Sequence, residues 1–353
     1  MILRAAATMP RRKAVHAPWI AGVLVFAGVS MLAAADDLRV WAIDVEGGKS
    51  TLYVSPTGES MLVDAGYGGF NNRDANRIAG AAKAAGVKQI EYLVITHYHG
   101  DHVGGVAQLA AMMPIRAVFD HGRMFGSVNP DAKAGYDAYV ALRAKGPHTV
   151  VKPGDAIPIK GIQVEVVAAA GEAIAKALPG AGRPNPVCAS YKALDQDSGE
   201  NAHSIGMLIT YGNFRLADLG DLFWNQEHDL ACPNNKLGVV DVYMTTHHGT
   251  KTSGSPQMVD ALHPKVAIMN NGAGKGGSVE AWQTIHDSPG LVDLWQLHYS
   301  NEGGKAHNAP EAFIANPGEP CHGNWIELTA QKDGTFTVVN GRNGFQKTYT
   351  RRP

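Results

Sequence analysis

The stretch that most constrains this chain is Thr96-His97-Tyr98-His99-Gly100-Asp101-His102, which packs three imidazoles and a carboxylate into six residues. It follows Glu91–Thr96, a short apolar run that reads as a strand, and it runs into a helical pattern over Val103–Met113. Side chains strung across such a strand-to-helix junction can converge at a sheet edge. Imidazole and carboxylate together suit Zn²⁺ and related divalent ions. A solvated His-rich loop is the rival reading, and the apolar strand in front of the string speaks against it. Of the 15 His in the chain, His247 and His248 form the one adjacent pair, again at the end of an apolar run, Val239–Thr245.

The rest of the chain alternates short strands and helices. Leu38–Val45, Ser50–Val54 and Ser60–Val63 read as three strands joined by tight turns, the last ending at Asp64-Ala65-Gly66. Asn71–Ala85 is Ala-rich with helical spacing and stops at Gly86. Ala117–Phe119 reads as a strand and Asp131–Lys145 as a helix. Further strands are expected at Ile162–Val167, Ser204–Tyr211 with Phe214–Leu216, Val266–Asn270, Leu291–Leu297, Trp325–Thr329 and Thr335–Val339. Residues 170–202 are rich in Ala, Gly, Pro and polar groups with weak periodicity, so they read as a long surface loop. Two similar halves of mixed strands and helices predict an α+β fold, a four-layer αββα sandwich.

The first 35 residues read as a separate element. Arg4, Arg11, Arg12 and Lys13 precede an apolar run from Trp19 to Ala33 that closes on Ala33-Ala34-Ala35. This is the pattern of a secretory signal peptide, which leaves residues 36–353 as the mature domain and implies a periplasmic or secreted protein. Without those four basic residues the formal charge moves from −1 to −5, which argues against a general binder of nucleic acid and leaves a nuclease reading open. Cys188, Cys232 and Cys321 allow one disulfide and one free thiol in such a compartment, with the pairing open. Thiolate zinc sites need closer Cys spacing than this. A serine-nucleophile elbow, Gly-x-Ser-x-Gly, is absent.

His97, His99, Asp101 and His102 fit H-x-H-x-D-H, the signature of the metallo-β-lactamase-fold superfamily, which the chain resembles through most of its mature length. Asp64 matches the upstream Asp that braces the metal loop in that family. Asn201-x-x-Ser204, Asp218-Leu219-Gly220-Asp221 and His247-His248-Gly249-Thr250 followed by Ser253 resemble later motifs of the branch typified by the hydrolase domain of the competence protein ComEC. The resemblance implies two metal ions, Zn²⁺ first with Mn²⁺ or Fe as alternatives. His97 and His99 would bind one ion, and Asp101 and His102 the other. Asp221, rather than its rival Asp218, would bridge them. One of His247 and His248 would close the second site, its neighbour supporting it or facing substrate. His203 is a further candidate ligand of the first ion. Asp101 would also orient the attacking metal-bound hydroxide.

The implied activity is that of an exported dinuclear metal-dependent hydrolase acting on a small-molecule or oligomeric ester, a phosphodiester or related ester first. Lactamase or lactonase ring opening is the alternative. A non-catalytic metal-binding protein and iron redox chemistry on the same fold are readings from other classes. Asn270, Asn271, His298 and His307 lie near the ends of expected strands or in loops where they could meet substrate, and packing or loop capping explains each equally well.

Overall fold

The computed structural model describes residues 36–126 and 130–351. The expected signal peptide, residues 1–35, lies outside them. Alternation builds the first layer: in β1 (Leu38–Ala42), Leu38, Val40 and Ala42 enter one apolar cluster while Trp41 enters another on the opposite face. The first half of the chain continues with β2 (Thr51–Val54), β3 (Ser60–Val63), α1 (Arg73–Ala84), β4 (Ile90–Val94), α2 (Gly100–Val103), α3 (Val106–Met112), β5 (Ile115–Asp120), α4 (Pro130–Arg143) and β6 (His148–Val150). The middle carries β7 (Gln163–Ala169), β8 (Glu172–Ala173), β9 (Gly206–Tyr211), β10 (Phe214–Asp218), α5 (Trp224–Ala231), β11 (Val242–Met244), α6 (Pro256–Leu262) and β12 (Val266–Met269). Then come α7 (Val279–His286), β13 (Asp293–His298), β14 (Ile314–Asn316), β15 (Ile326–Ala330), β16 (Phe336–Asn340) and β17 (Gln346–Tyr349).

The described strands form two sheets, ordered β17-β16-β15-β1-β2-β3-β4-β5-β6 and β14-β13-β12-β11-β10-β9-β7-β8. One buried cluster, with Val40, Val94, Ile209 and Leu216, fills the space between them. A second joins the outer face of the first sheet to α1, α3 and α4, through Ile78, Leu109 and Tyr139. A third joins the other sheet to α5, α6 and α7, through Leu230, Val259 and Ile285. Three apolar interfaces make four layers, and the expected αββα sandwich is the observed one.

Local departures have identifiable causes. The expected helix Val103–Met113 is two helices, parted at Gly104-Gly105, where the chain packs so closely that a Cβ at Gly105 would meet the Ala65 carbonyl. The first strand ends at Ala42 rather than Val45, ahead of the turn that Glu46 (φ 53°) and Gly47 (φ 88°) make. Helices α5, α6 and α7 were not anticipated, although two carry start signals: Ser255 accepts from Met258 N with Pro256 behind it, and Ser278 accepts from Ala281 N. Residues 170–202 are largely irregular, as expected, and are tied down by a disulfide between Cys188 and Cys232. No helix among the described residues is long and apolar enough to cross a membrane.

Candidate metal centre

Parallel pairing gathers the chemistry. The β3–β4 pair is parallel, as are β10–β11 and β11–β12, so the loops leaving their C-terminal ends emerge on one edge of the sandwich. Those loops carry Asp64, the His97–His102 string, Asp221, His247-His248 and Asn270. His247 and His248 both take positive φ, 51° and 57°, an uncommon conformation that turns two adjacent side chains inward.

Asp221 stands at the centre. Its Oδ2 lies 3.1 Å from His102 Nε2, 3.3 Å from His248 Nε2, 3.7 Å from His247 Nε2 and 3.9 Å from His97 Nε2. On one side His97 Nε2 faces His99 Nδ1 at 3.0 Å. On the other, Asp101 Oδ2 lies 3.3 Å from His102 Nε2 and 3.2 Å from His248 Nε2. The ligand atoms of Asp101, His102, Asp221 and His248 all fall within 4.8 Å of one another, and all four residues are buried. The Asp221 carboxylate thus faces His97, which in turn meets His99, on one flank, and His102 and His248, which meet Asp101, on the other.

An outer ring of contacts fixes these rings. His102 Nδ1 donates to Asp64 Oδ2 at 2.7 Å, which fixes the ring with Nε2 facing Asp221. The same Asp64 carboxylate accepts from Thr96 N and Thr96 Oγ1, so it also pins the start of the His string. The Asn270 amide meets His248 Nδ1 at 3.2 Å, and Ser253 Oγ meets His247 Nδ1 at 3.2 Å. Ser204 Oγ accepts from Asp221 N.

Charge follows from this packing. Burial and the neighbouring His102 hold His97 neutral well below the usual imidazole range, and burial brings His247 down to about 4. Neutral imidazole is the form that binds metal. Burial also opposes charge on His102, but Asp221, Asp101 and Asp64 outweigh it and push His102 up. Burial would raise Asp221 and Asp101, yet the surrounding imidazoles, with Lys275 beside Asp101, keep both carboxyls well below the ordinary range.

The residues present fit divalent metal ions. Asp221 Oδ1 is buried and has no hydrogen-bond partner, a costly arrangement for a carboxylate oxygen unless a cation satisfies it. Facing imidazole nitrogens at 3.0 Å need a proton or a cation between them. Nitrogen and carboxylate donors without thiolate suit Zn²⁺, Mn²⁺ or Fe.

Not every candidate joins the cluster. Asp218 forms a buried ion pair with Lys49 and accepts from Tyr53 Oη at 2.8 Å, so it holds the floor of the site while Asp221 faces the histidines. The ring of His203 stacks on Phe125 at 3.6 Å with Nδ1 on the Gly199 carbonyl, and no hydrogen bond or ion pair links it to the other histidines among the described residues. Asn271 spends its amide on the Gly272 and His298 carbonyls. His298 turns away from the histidine cluster, its Nε2 2.7 Å from Asp44 Oδ1. Cys321 Sγ and Arg77 Nη1 also donate to Asp44, and Arg77 Nη2 reaches Cys321 Sγ. Asn271 thus braces its loop, and His298 belongs to a clasp around the buried Asp44 carboxylate, whose cation is Arg77.

Three residues of the site were not found from sequence. Lys275 Nζ pairs with Asp101 Oδ2, donates to Tyr67 Oη at 3.3 Å, and lines a cleft of about 990 Å³ beside His99 and Asp101. Buried Glu200 accepts from Tyr98 N at 2.7 Å and from Phe125 N, and its Oε2 lies 3.1 Å from His121 Nε2; it clamps the backbone between His97 and His99. Buried Glu227 accepts from Gly254 N and Ser255 N at 2.9 and 2.7 Å, locking the turn that presents Ser253 to His247. A lone Lys or Glu whose partner lies far along the chain carries no local pattern.

Burial pushes the Glu227 carboxyl up to about 7, against 4.5 for an ordinary glutamate. The fold therefore favours the protonated acid. Its contribution is fully present below about pH 4.5 and is lost as pH rises through 7, roughly 3 kcal/mol in all. Urea titrations at pH 5 and pH 8 should show wild type losing this stability relative to Glu227→Gln. Parallel pH dependence in the two proteins would remove Glu227 as the source.

Residues 43–117 match the family model described as the metallo-beta-lactamase superfamily. The chain is 29% identical over 221 residues to ComE operon protein 3 of Bacillus subtilis, covering 61% of this chain and 23% of that protein. It is 23% identical over 240 residues to Recombination protein 2 of Haemophilus influenzae, covering 66% of this chain and 24% of that one. The chain thus spans about a quarter of the length of these relatives. Among solved structures, it is similar to the metallo-beta-lactamase fold protein YhfI from Bacillus subtilis, at 11% identity and a TM-score of 0.45 over 74% of this chain and 96% of that one. The matched segment carries Asp64 and the whole His97–His102 string, so over residues 43–117 the chain matches the metallo-β-lactamase superfamily and carries its metal loop on the two-sheet α+β fold, and the similarity to ComE operon protein 3 and Recombination protein 2 supports a ComEC-like branch.

Proposed function

We propose that this chain is an exported, dinuclear metal-dependent hydrolase of an anionic ester, a phosphodiester first. One observation carries the reading: a single carboxylate oxygen, Asp221 Oδ2, is shared by two groups of imidazoles. His97, His99 and Asp221 would hold one ion, and Asp101, His102, His248 and Asp221 the other. Such a pair, when bound, supplies Lewis acidity and makes water acidic enough to serve as nucleophile near neutral pH.

The chain's own residues supply the rest. Asp64 and Asn270 orient His102 and His248. Asp101, the carboxylate among the described residues lining the cleft, is placed to orient the attacking water. Burial keeps His247 uncharged beside Asp221, so it can meet substrate without repelling a cation. Lys275 is the one cationic side chain among the described residues lining the cleft, and Asp101 holds its ammonium protonated by outweighing the effect of burial. An ammonium there favours a phosphodiester monoanion over a neutral lactone. The Cys188–Cys232 disulfide supports an oxidising compartment, and so supports export to the periplasm or beyond.

The test is a panel of bis-p-nitrophenyl phosphate, nitrocefin and a neutral lactone, assayed before and after chelation. Chelation should abolish turnover. Lys275→Met should raise KM for the phosphodiester roughly tenfold or more, as loss of a charge-assisted hydrogen bond does, and leave the lactone nearly unchanged. Activity that survives chelation would sink the metal mechanism. A lactone preference untouched by Lys275→Met would sink the anionic substrate. Recovery of periplasmic protein beginning at Asp36 tests export.

A further inference from the structure

We infer that the cleft takes an ester whose charged scissile group bears a planar aromatic substituent, and that Phe70 is the surface on which that substituent lies. The inference rests on the reading of this cleft as the substrate channel. It starts from an oddly expensive residue. Phe70 is 64% exposed, more than any other large apolar side chain in the described structure. It also opens a run of three left-handed residues, Phe70, Asn71 and Asn72, at φ 46°, 54° and 60°. Asn tolerates that region, whereas a bulky aromatic there is an outlier that persists only where its surroundings enforce it.

The surroundings do enforce it. Tyr67 N donates to Asp74 Oδ2 at 2.7 Å, and Gly105 N donates to the Gly66 carbonyl at 3.0 Å, which fixes the root of the segment on the metal loop. A Cβ at Gly68 would come within 2.6 Å of the Gly104 carbonyl, so the strap lies against the residues that follow His102 with no space to spare. The guanidinium of Arg73 lies 4.6 Å from the Phe70 ring centroid, and Tyr67 meets that ring edge-on at 6.0 Å. Phe70 is thus held up, and it lines the same cleft as Asp101 and Lys275.

Elsewhere the cleft is lined by small residues, Gly104, Ala107, Ala132, Gly135 and Ala138, which leave room for a flat ring. Lys275 provides the complementary charge at the metal end. An aromatic platform beside an ammonium and a metal centre fits a ligand that is anionic at one point and planar at the next. Aromatic contact of this kind changes affinity roughly three- to tenfold.

The experiment uses calorimetry on zinc-loaded wild type, Phe70→Leu and Phe70→Ala, with methyl phosphate and phenyl phosphate as probes. Wild type should bind phenyl phosphate roughly three- to tenfold more tightly than methyl phosphate. Phe70→Ala should erase that ratio, Phe70→Leu should keep part of it, and methyl phosphate should bind all three alike. An unchanged ratio in Phe70→Ala overturns the inference while the phosphodiester reading stands. If methyl phosphate binds none of them, the same ratio is read with benzoate and acetate. A Phe70-dependent preference there keeps the aromatic platform and sinks the phosphoryl reading, and no preference or no anion binding sinks the platform.

Discussion

Asp221→Asn is expected to lower kcat/KM roughly 10³-fold or more, because in the proposed dinuclear centre each cation would lose a shared anionic ligand and several kcal/mol of charge stabilisation would go with it. The same substitution should drop bound metal below two ions per chain, read by elemental analysis of gel-filtered protein. Four imidazole nitrogens lie within 3.9 Å of Asp221 Oδ2, and no other carboxylate in the cluster meets both flanks. Asp218→Asn makes the contrasting case three residues away. It leaves the buried Lys49 ammonium without its partner, which costs about 3–5 kcal/mol of stability, while the folded fraction should keep its metal. Full metal content and near-normal turnover in Asp221→Asn would show that Asp221 is not the shared ligand.

That contrast shows where the sequence was legible and where it was not. Contiguous chemistry could be read: the spacing of His97, His99, Asp101 and His102 announces a converging set because four side chains leave one strand end together. Asp64 was singled out only by the family resemblance, and its physical role, holding His102 and Thr96, emerges from the fold. Choosing Asp221 over Asp218 required the family resemblance, and the physical reason emerges only from the fold, which sends Asp218 to Lys49 and Tyr53. Lys275 stayed invisible because Asp101, its partner, lies 174 residues earlier, and Glu200 because Tyr98 lies 102 residues earlier. His298 and Asn271 stayed ambiguous for the converse reason. A polar residue at a strand end points to an edge of the sheet, but only packing decides whether that edge faces the cleft or a buried carboxylate such as Asp44. Helices α5, α6 and α7 escaped because each is at most eight residues long, too short for periodicity to separate from chance.

The cysteines offer the other large effect, on stability rather than turnover. Cys188 sits in the irregular 170–202 stretch and Cys232 just beyond α5, with a sequence separation of 44. Opening that loop in the unfolded chain is worth about 4 kcal/mol in the chain-entropy view, so Cys188→Ser should lower the unfolding free energy by up to that amount. Reduced wild type should unfold at the same urea concentration as Cys188→Ser, and the double change with Cys232→Ser should add nothing further. Turnover below the unfolding transition should survive, because other contacts hold the stretch: Asn185 Nδ2 donates to the Gln257 carbonyl at 2.8 Å, Tyr191 Oη to Asn225 Oδ1 at 2.7 Å, and Glu200 keeps its own grip on the metal loop. Cys321→Ser is the control that isolates the bridge. Burial, with Asp44 beside it, pushes the Cys321 thiol up to about 12, so it stays protonated and unreactive, and reductant sensitivity should be unchanged without it. A wild-type midpoint that reductant does not move would mean the bridge contributes nothing, and with it would go the strongest structural support for an oxidising compartment.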